Sequence, residues 1–519
     1  MWLAAISAAV GATPRKPDVV FVLLDDLRWD ALGYMQHPYV QTPNIDRLRE
    51  QGAMMKNAFV TTSICCPSRA TFLTGTLASR HGVIDNETSE YNPKVTPPLT
   101  KFLQEAGYTT AMIGKWHMGP NGAPRPYFNY WLSFKGQGVY HDPLFNINGQ
   151  EIPQKGYTTD LITDYAVKFI ENQPKDQPFF CMVSHKAVHE PFQPAPRHKE
   201  AFGADAVTPE PPSWSDDFSS KPAWQKRERT GDHRWHYRTR SREQEQLPES
   251  IPEEPWQKTA KYVDQLRCLA AVDDGVGRII EVLRQRGTLD NTLIVFTSDN
   301  GYFHLEHRRW DKRLAYEESI RIPMLVVYPG HVEAGSTVSQ LVTNADFAPT
   351  VLDYAGASIP AGMQGTSMRP LFEEAAPAWR DAVFYEYWTD LVHTIPTMTA
   401  LRTDRYKLVM YPEINDIDEL YDLQSDPHEM RNLAEEPAYA ELHASLSARL
   451  AREKEQAGWR PDVFPQNLPR LRGVSGVLFD LAVHDEVLVD RSGSRVPFNP
   501  QGLQVRGDSV FFDGEHSSI

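Results

Sequence analysis

Residues 19–26 read VVFVLLDD, six apolar residues without a polar interruption and then two aspartates. A run this short, with no polar alternation, predicts a strand buried on both faces, as in a parallel sheet. Three further stretches repeat the pattern. Residues 109–114 (TTAMIG) lead into Lys115 and His117, residues 179–183 (FFCMV) into Ser184, His185 and His189, and residues 293–297 (LIVFT) into Asp299 and Asn300. In open parallel sheets, ligands bind beyond the carboxyl ends of the strands. The four runs are therefore expected to deliver their polar residues to one edge of one sheet. Helical patterns lie between them. Residues 43–50 open with a proline in the first turn and stop before Gly52, and residues 97–106 and 160–172 carry apolar residues at helical spacing. A long stripe over 256–286 ends before Gly287. The class predicted is α/β.

The texture changes near residue 380. Strand-like segments follow at 383–387, 398–402, 406–410 and 419–422, and an Ala/Leu/Glu-rich helical pattern covers 438–456. This predicts a smaller C-terminal subdomain over 380–460, an antiparallel sheet with one helix. Residues 205–255, rich in Pro, Ser, Arg, Glu and Trp without a period, read as an insertion over the surface. Its basic and aromatic residues, among them Arg227, Arg229, His233, Arg234 and Trp235, either meet an anionic glycan or form a solvated loop balanced by nearby acids. Residues 461–519 form a β-rich tail too short to make an independent β domain.

Hydrophobic residues make up 41% of the 519, so a folded chain is expected and not a disordered one. The formal charge of −15 argues against a nucleic-acid partner, which would approach against the average field. An anionic substrate would need its positive contacts concentrated locally. Residues 2–12 are apolar or small and precede Arg15 and Lys16, so residues 1–16 read as a signal-peptide remnant and the chain as exported, to the periplasm, cell surface or medium. That stretch is shorter than the about 20 residues that cross a bilayer, and no other segment reaches that length, so no membrane partner is expected. Four cysteines form no disulfide framework in a chain this long, and none has zinc-ligand spacing.

Residues 63–75 read SICCPSRATFLTG. Taken alone, the adjacent Cys65 and Cys66 admit a vicinal disulfide or a plain thiol nucleophile. The stretch is similar to the sulfatase signature C-x-P-S-R-x-x-x-L-T-G. Cys65, Pro67, Ser68, Arg69, Leu73, Thr74 and Gly75 occupy its fixed positions and Cys66 its free one. GKWHMG at 114–119 resembles the G-K-W-H segment of the same family. The resemblance runs from about residue 17 to 458, through HDPLFNINGQ, AVDDGVGRI and ELYDLQSDPHEMRNL. It implies the alkaline-phosphatase-like fold, a large, mostly parallel mixed sheet sandwiched by helices, with a catalytic domain over 17–379. The tail departs from the family. It is weakly similar to the opening of laminin-G or concanavalin-like domains, which implies a truncated lectin-like domain over 461–519.

The resemblance implies hydrolysis of sulfate esters on a polysaccharide or oligosaccharide. In this family a formylglycine-generating enzyme oxidises the signature cysteine, so by resemblance Cys65 is the precursor of formylglycine and that enzyme is a partner. The hydrated aldehyde is a gem-diol. One hydroxyl attacks sulfur to give a sulfated enzyme, and proton loss from the other expels sulfate, which splits one hard step into two easier ones. Arg69 would hold the gem-diol. His117 would take the proton from the second hydroxyl, which an imidazole with a pKa near about 6.5 does at neutral pH. His189, in HKAVHEP, matches the histidine that meets the leaving-group oxygen. Lys115 and, in WDKR, Lys312 would bind sulfate, while His185 and His307 are candidates for contacting the sugar. Asp25, Asp26, Asp299 and Asn300 offer hard oxygen ligands that suit Ca²⁺ or Mg²⁺. In the family the residues at these positions bind calcium together with the formylglycine. His304 has no counterpart in the motifs and is expected at the surface. The rival readings are a phosphonate or phosphodiester hydrolase of the same superfamily and an inactive glycan-binding homologue.

Overall fold

The computed structural model describes residues 15–461 except 87–89, 204–205, 207–209, 217, 226–258, 376, 391–394 and 415, together with four short strands beyond 461. The chain divides into two compact units, residues 1–464 and 465–519.

The opening apolar run is strand β1 (Asp18–Leu24), buried throughout. In chain order follow β2 (Ala53–Phe59), β3 (Thr109–Gly114), β4 (Tyr130–Ser133), β5 (Leu144–Ile147), β6 (Gln150–Pro153), β7 (Phe179–Ser184) and β8 (Thr292–Ser298). Then come two-residue strands β9 (Phe303–His304) and β10 (Trp310–Asp311), β11 (Met324–Val327) and β12 (Thr337–Thr343). One ten-stranded sheet has the order β12-β2-β11-β8-β1-β7-β3-β4-β5-β6. Strands β8, β1, β7, β3 and β4 are parallel, with Leu23 beside both Ser184 and Thr297. β11, β5 and β6 pair antiparallel, so the sheet is mixed with a parallel centre.

The unbroken apolar character of β1 has a direct cause. Val19, Phe21 and Leu23 face one core, built with helices Cys65–Thr74, Leu99–Glu105 and Phe347–Tyr354. Val20, Val22 and Leu24 face the other, built with helices Pro43–Gln51, Thr158–Glu171 and Thr259–Arg286. A strand covered on both faces has no side left for polar residues. The four apolar runs become the adjacent parallel strands β8, β1, β7 and β3, and their polar ends share one edge as expected.

Strands β13 (Ala382–Tyr387), β14 (Met398–Thr403), β15 (Tyr406–Met410) and β16 (Glu419–Asp422) form a separate antiparallel sheet in sequence order. Helix Ala440–Ala457 sets Leu446, Leu450 and Ala457 into one core with Phe384, Leu401, Leu408 and Leu420. The second unit contains two antiparallel hairpins, β17 (Leu481–His484) with β18 (Val487–Asp490) and β19 (Leu503–Arg506) with β20 (Ser509–Phe512). Among the described residues no helix is long and apolar enough to cross a membrane.

The segment expected to run over the surface at 205–255 is instead anchored in the interior where it is described. Ser213, Asp216, Phe218, Lys221 and Gln225 are buried. Lys221 Nζ lies 2.5 Å from the Tyr421 hydroxyl and 3.7 Å from Asp216, and stands over the rings of Tyr316 and Tyr421. Its buried polar groups meet partners from elsewhere in the chain: Gln225 donates to Glu419 Oε1 at 2.8 Å, and Asp216 Oδ2 lies 2.8 Å from His307 Nδ1. Residues 227–240, with the Arg/Trp/His cluster, and the leader-like residues 1–14 lie outside the described residues.

Candidate active site

Three strand ends and one helix start converge. β1 hands over to Asp25 and Asp26, β8 to Asp299 and Asn300, β3 to Lys115 and His117, and helix Cys65–Thr74 begins at Cys65 itself. Asp25, Asp26, Cys65 and Asp299 are all buried, and their ligand atoms lie within 4.8 Å of one another. Cys65 Sγ is 3.3 Å from Asp25 Oδ1 and 3.4 Å from Lys312 Nζ. The helix also turns its positive end toward this position, which favours an anion there.

Local backbone makes the convergence possible. Gly114 ends β3 at φ 121°, and a Cβ there would lie 1.9 Å from the Ser184 carbonyl oxygen. Lys115 N–H donates to that same carbonyl at 2.8 Å. Asp26 and His117 adopt left-handed backbone, φ 65° and 63°. Strain of this kind costs about 1–3 kcal/mol and persists where the surroundings over-determine it. Asp26 N–H donates to Asp299 Oδ1 (3.2 Å), and Leu27 N–H to Ser298 Oγ (2.8 Å).

Three cations face three carboxylates. Arg69 donates from Nε to Asp299 Oδ2 (2.7 Å) and from Nη1 to the Lys115 carbonyl (2.9 Å) and Ser184 Oγ (2.7 Å). Its Nη2 makes no hydrogen bond and sits 3.8 Å from Asp25 Oδ1. Lys115 Nζ donates to Asp25 Oδ2 and Gln137 Oε1, and Lys312 Nζ to Asp26 Oδ1. Burial alone would raise the Asp25 carboxyl, but Lys115, His189, Arg69 and Lys312 outweigh it and hold the group well below the carboxylate range. Burial, with repulsion from Asp25 and Asp299, lifts Asp26 to about 7 against the pull of Lys312. Burial and Asp25 likewise raise Asp299.

The donor set fits a hard divalent cation. Asn300 donates its amide to Asp26 Oδ1 (2.6 Å) and to the Gly301 carbonyl (2.8 Å), while its own Oδ1 is buried without a hydrogen-bond partner. An unpaired buried polar atom costs about 1–3 kcal/mol. Beside three carboxylates, that oxygen completes an all-oxygen set of the kind Ca²⁺ takes.

Two histidines border the cluster. His189 Nε2 is 3.7 Å from Asp26 Oδ2, and His189 also groups with Asp25 and Cys65. His117 is half-buried and its Nδ1 has no hydrogen-bond partner. Burial pushes both imidazoles well below their ordinary range, with Lys115 adding to the effect on each.

The remaining predicted histidines are differently placed. His185 is buried, its pKa drawn down to about 4 by burial, and the carboxylate that opposes this shift is Asp160. His307 is buried with Nδ1 on Asp216 Oδ2 (2.8 Å) and its ring stacked 4.4 Å from Tyr316. Neither hydrogen-bonds to the Cys65 cluster. His304, expected at the surface, is buried beneath Tyr262, with Nε2 on Gln265 Oε1.

Sequence reasoning missed Gln137, which fixes Lys115, and Gln265, whose Nε2 donates to the Asp26 carbonyl at 3.3 Å. A local sign of Gln137 exists. It stands between Gly136 and Gly138, both left-handed, and a Cβ on Gly138 would lie 2.4 Å from the Phe134 ring.

The parallel-centred sheet, with carboxylates, buried cations and a helix-start cysteine at one edge, defines a hydrolase of the alkaline-phosphatase-like class. The chain belongs to the sulfatase family, which hydrolyses sulfate esters: the Sulfatase family model matches residues 17–357. A second model, N-sulphoglucosamine sulphohydrolase, C-terminal, matches residues 305–456. The chain is 36% identical over 512 residues to an N-acetylglucosamine-6-O-sulfatase of Bacteroides thetaiotaomicron, spanning 88% of this chain and 90% of that protein. A solved structure of a protein in complex with its substrate, D-glucosamine-2-N,6-O-disulfate, is 34% identical, with a TM-score of 0.75 over 86% of this chain and 98% of that one. The phosphonate monoester hydrolase of Agrobacterium radiobacter shares the fold, with a TM-score of 0.69 at 21% identity over 92% of this chain and all of that one.

Proposed function

We propose that this chain is a calcium-dependent sulfatase, matured to formylglycine at Cys65, that removes 6-O-sulfate from glucosamine residues of sulfated oligo- or polysaccharides. The observation that carries the reaction is the position of Cys65, at a helix start with Sγ 3.3 Å from Asp25 Oδ1 and 3.4 Å from Lys312 Nζ. The sugar is supported by the activity and the bound substrate named for the two relatives at 36% and 34% identity. The Cys65 thiol stands in for the hydrated aldehyde, which supplies the attacking oxygen and a second hydroxyl whose proton loss expels sulfate. A cation held by Asp25, Asp26, Asp299 and Asn300 supplies positive charge for the oxygens gathered there.

The chain's own residues do the rest. An ammonium has three N–H donors. Lys115 directs two to Asp25 and Gln137, and Lys312 directs one to Asp26 and one toward Cys65, so each keeps a donor for a sulfate oxygen. Donors fixed in advance at developing negative charge are the most effective kind. These buried cations are the local positive field that a chain of charge −15 needs for an anionic ester. Arg69 orders the site by tying Asp299, Ser184 and the Lys115 carbonyl together. His117 takes the proton of the second hydroxyl, and His189 meets the leaving-group oxygen. A formylglycine-generating enzyme is the maturation partner. The leader-like residues 1–16 support export.

Sulfate release from glucosamine sulfated at O6, set against its O3 and N-sulfated isomers, tests the reading. Release from the O6 ester alone is expected; faster release from another isomer would reassign the linkage.

A further inference from the structure

We propose that Lys186 and Tyr140 are positioning residues that hold His189 in the one orientation, Nδ1–H on the Glu190 carbonyl and Nε2 free, from which Nε2 can carry a proton to the leaving group. This rests on the reading of His189 as the group that meets the leaving-group oxygen.

Lys186 is buried, and its Nζ donates to the Glu190 carbonyl oxygen at 2.9 Å. That same carbonyl lies 2.7 Å from His189 Nδ1. A carbonyl only accepts, so Nδ1 carries the hydrogen and Nε2 is the nitrogen left to exchange a proton with substrate. Nε2 is the atom on the Asp26 side of the ring, 3.7 Å from Oδ2. Tyr140, also buried, donates its hydroxyl to the carbonyl of His189 itself at 2.8 Å. Its ring lies 4.9 Å from Lys186 Nζ, a cation–π contact that joins the two holders. His189 is thus pinned at ring and backbone from two elements, the loop after β4 and the turn after β7. A buried ammonium is costly unless it is well bonded. Among the described residues no carboxylate pairs with Lys186, and the Glu190 carbonyl and the Tyr140 ring are the contacts that account for its amine.

In the step concerned, Nε2 first takes a proton from solvent as the anionic ester binds, and the resulting imidazolium gives that proton to the bridging oxygen as the bond from that oxygen to sulfur breaks. The bonding pair stays on oxygen, and the ring is left neutral with Nδ1–H still on Glu190. Nitrophenolate leaves without this proton, whereas a sugar alkoxide needs it. A loosened His189 should therefore harm sugar esters selectively.

The test uses the full matured chain and compares kcat on N-acetylglucosamine 6-sulfate with kcat on 4-nitrophenyl sulfate. Lys186→Met is expected to lower kcat about 30-fold on the sugar ester and under about 3-fold on the nitrophenyl ester, a part of the about 10²–10⁴-fold that general acid catalysis contributes. Lys186→Arg, which keeps a donor and a charge, should restore most of the loss. Tyr140→Phe should shift the same ratio in the same direction, about 5-fold. If Lys186→Met does not fold, Tyr140→Phe decides by the same comparison. Equal losses on both esters, or no loss, would overturn the positioning role. His189→Ala separates the two readings. Selective loss there with none in the positioning variants sinks only this proposal, while equal loss there sinks the reading of His189 and this proposal with it.

Discussion

Lys312 Nζ sits 3.4 Å from Cys65 Sγ while donating to Asp26 Oδ1, so a single ammonium joins the position of the nucleophile to the acidic cluster. On the proposed reading, Lys312→Met removes a donor that would face the transferring sulfate whatever alcohol carries it. Its kcat/KM is expected to fall about 10²–10³-fold on sugar and nitrophenyl sulfates alike. Steady-state rates on both esters check this, and a loss confined to the sugar ester would move Lys312 to the sugar.

Asp299 accepts from Arg69 and from the Asp26 backbone, and beside it Asn300 keeps a buried oxygen unpaired. Calcium held there would stabilise the folded state by mass action. Added calcium should raise the Tm of the wild type, chelation should reverse the gain, and Asp299→Ala should show little of it. Calorimetry with elemental analysis reads both. The same gain and metal content in the variant would remove Asp299 from the ligand set.

Gly114 has no room for a methyl group against the Ser184 carbonyl and sits in the left-handed region. Gly114→Ala is expected to cost more than about 3 kcal/mol, since both backbone strain and overpacking act. Denaturant unfolding measures it. A change under about 1 kcal/mol, the size of a tolerated core swap, would mean that β3 and β7 separate more easily than their packing implies.

Glu386 is buried on β13, with one oxygen on the Ser79 N–H (2.9 Å) and the other unpartnered. Burial raises its carboxyl from 4.5 to about 7. The folded state therefore holds this proton more tightly than the unfolded one. The associated stability is fully present below about pH 4.5 and is lost as pH rises through 7, a change of about 3 kcal/mol. Glu386→Gln removes the titration, so it should flatten this part of the pH profile and exceed the wild type above pH 7. Parallel profiles from chemical denaturation would contradict it.

The residues at strand ends are the most legible in sequence. Asp25, Asp26, Lys115, His117, Asp299 and Asn300 each stand where an apolar run stops, and parallel neighbours place all such stops on one edge. Cys65 and Arg69 are readable only as a motif, because their helix is buried on every side, so no split into a polar and an apolar face marks it. Lys312 follows the two-residue strand β10, where no period locates a side chain. Gln137, Gln265 and Lys186 take their roles from contacts that local pattern does not announce. Gln265, for instance, reaches Asp26 across 239 positions. The burial of His304 and of the start of the 205–255 segment escapes the sequence for the same reason. Polar residues read as surface until their partners are known.

The reaction proposed for this site is turnover of a sulfate ester at the oxidised Cys65. The direct test is sulfate release by protein co-produced with a formylglycine-generating enzyme, with the mass of the Cys65 peptide measured alongside and Cys65→Ala as control. Multiple turnovers on N-acetylglucosamine 6-sulfate are expected from the matured protein and none from the variant. A formylglycine mass at Cys65 without sulfate release from any sulfated sugar, or equal release by Cys65→Ala, would contradict it.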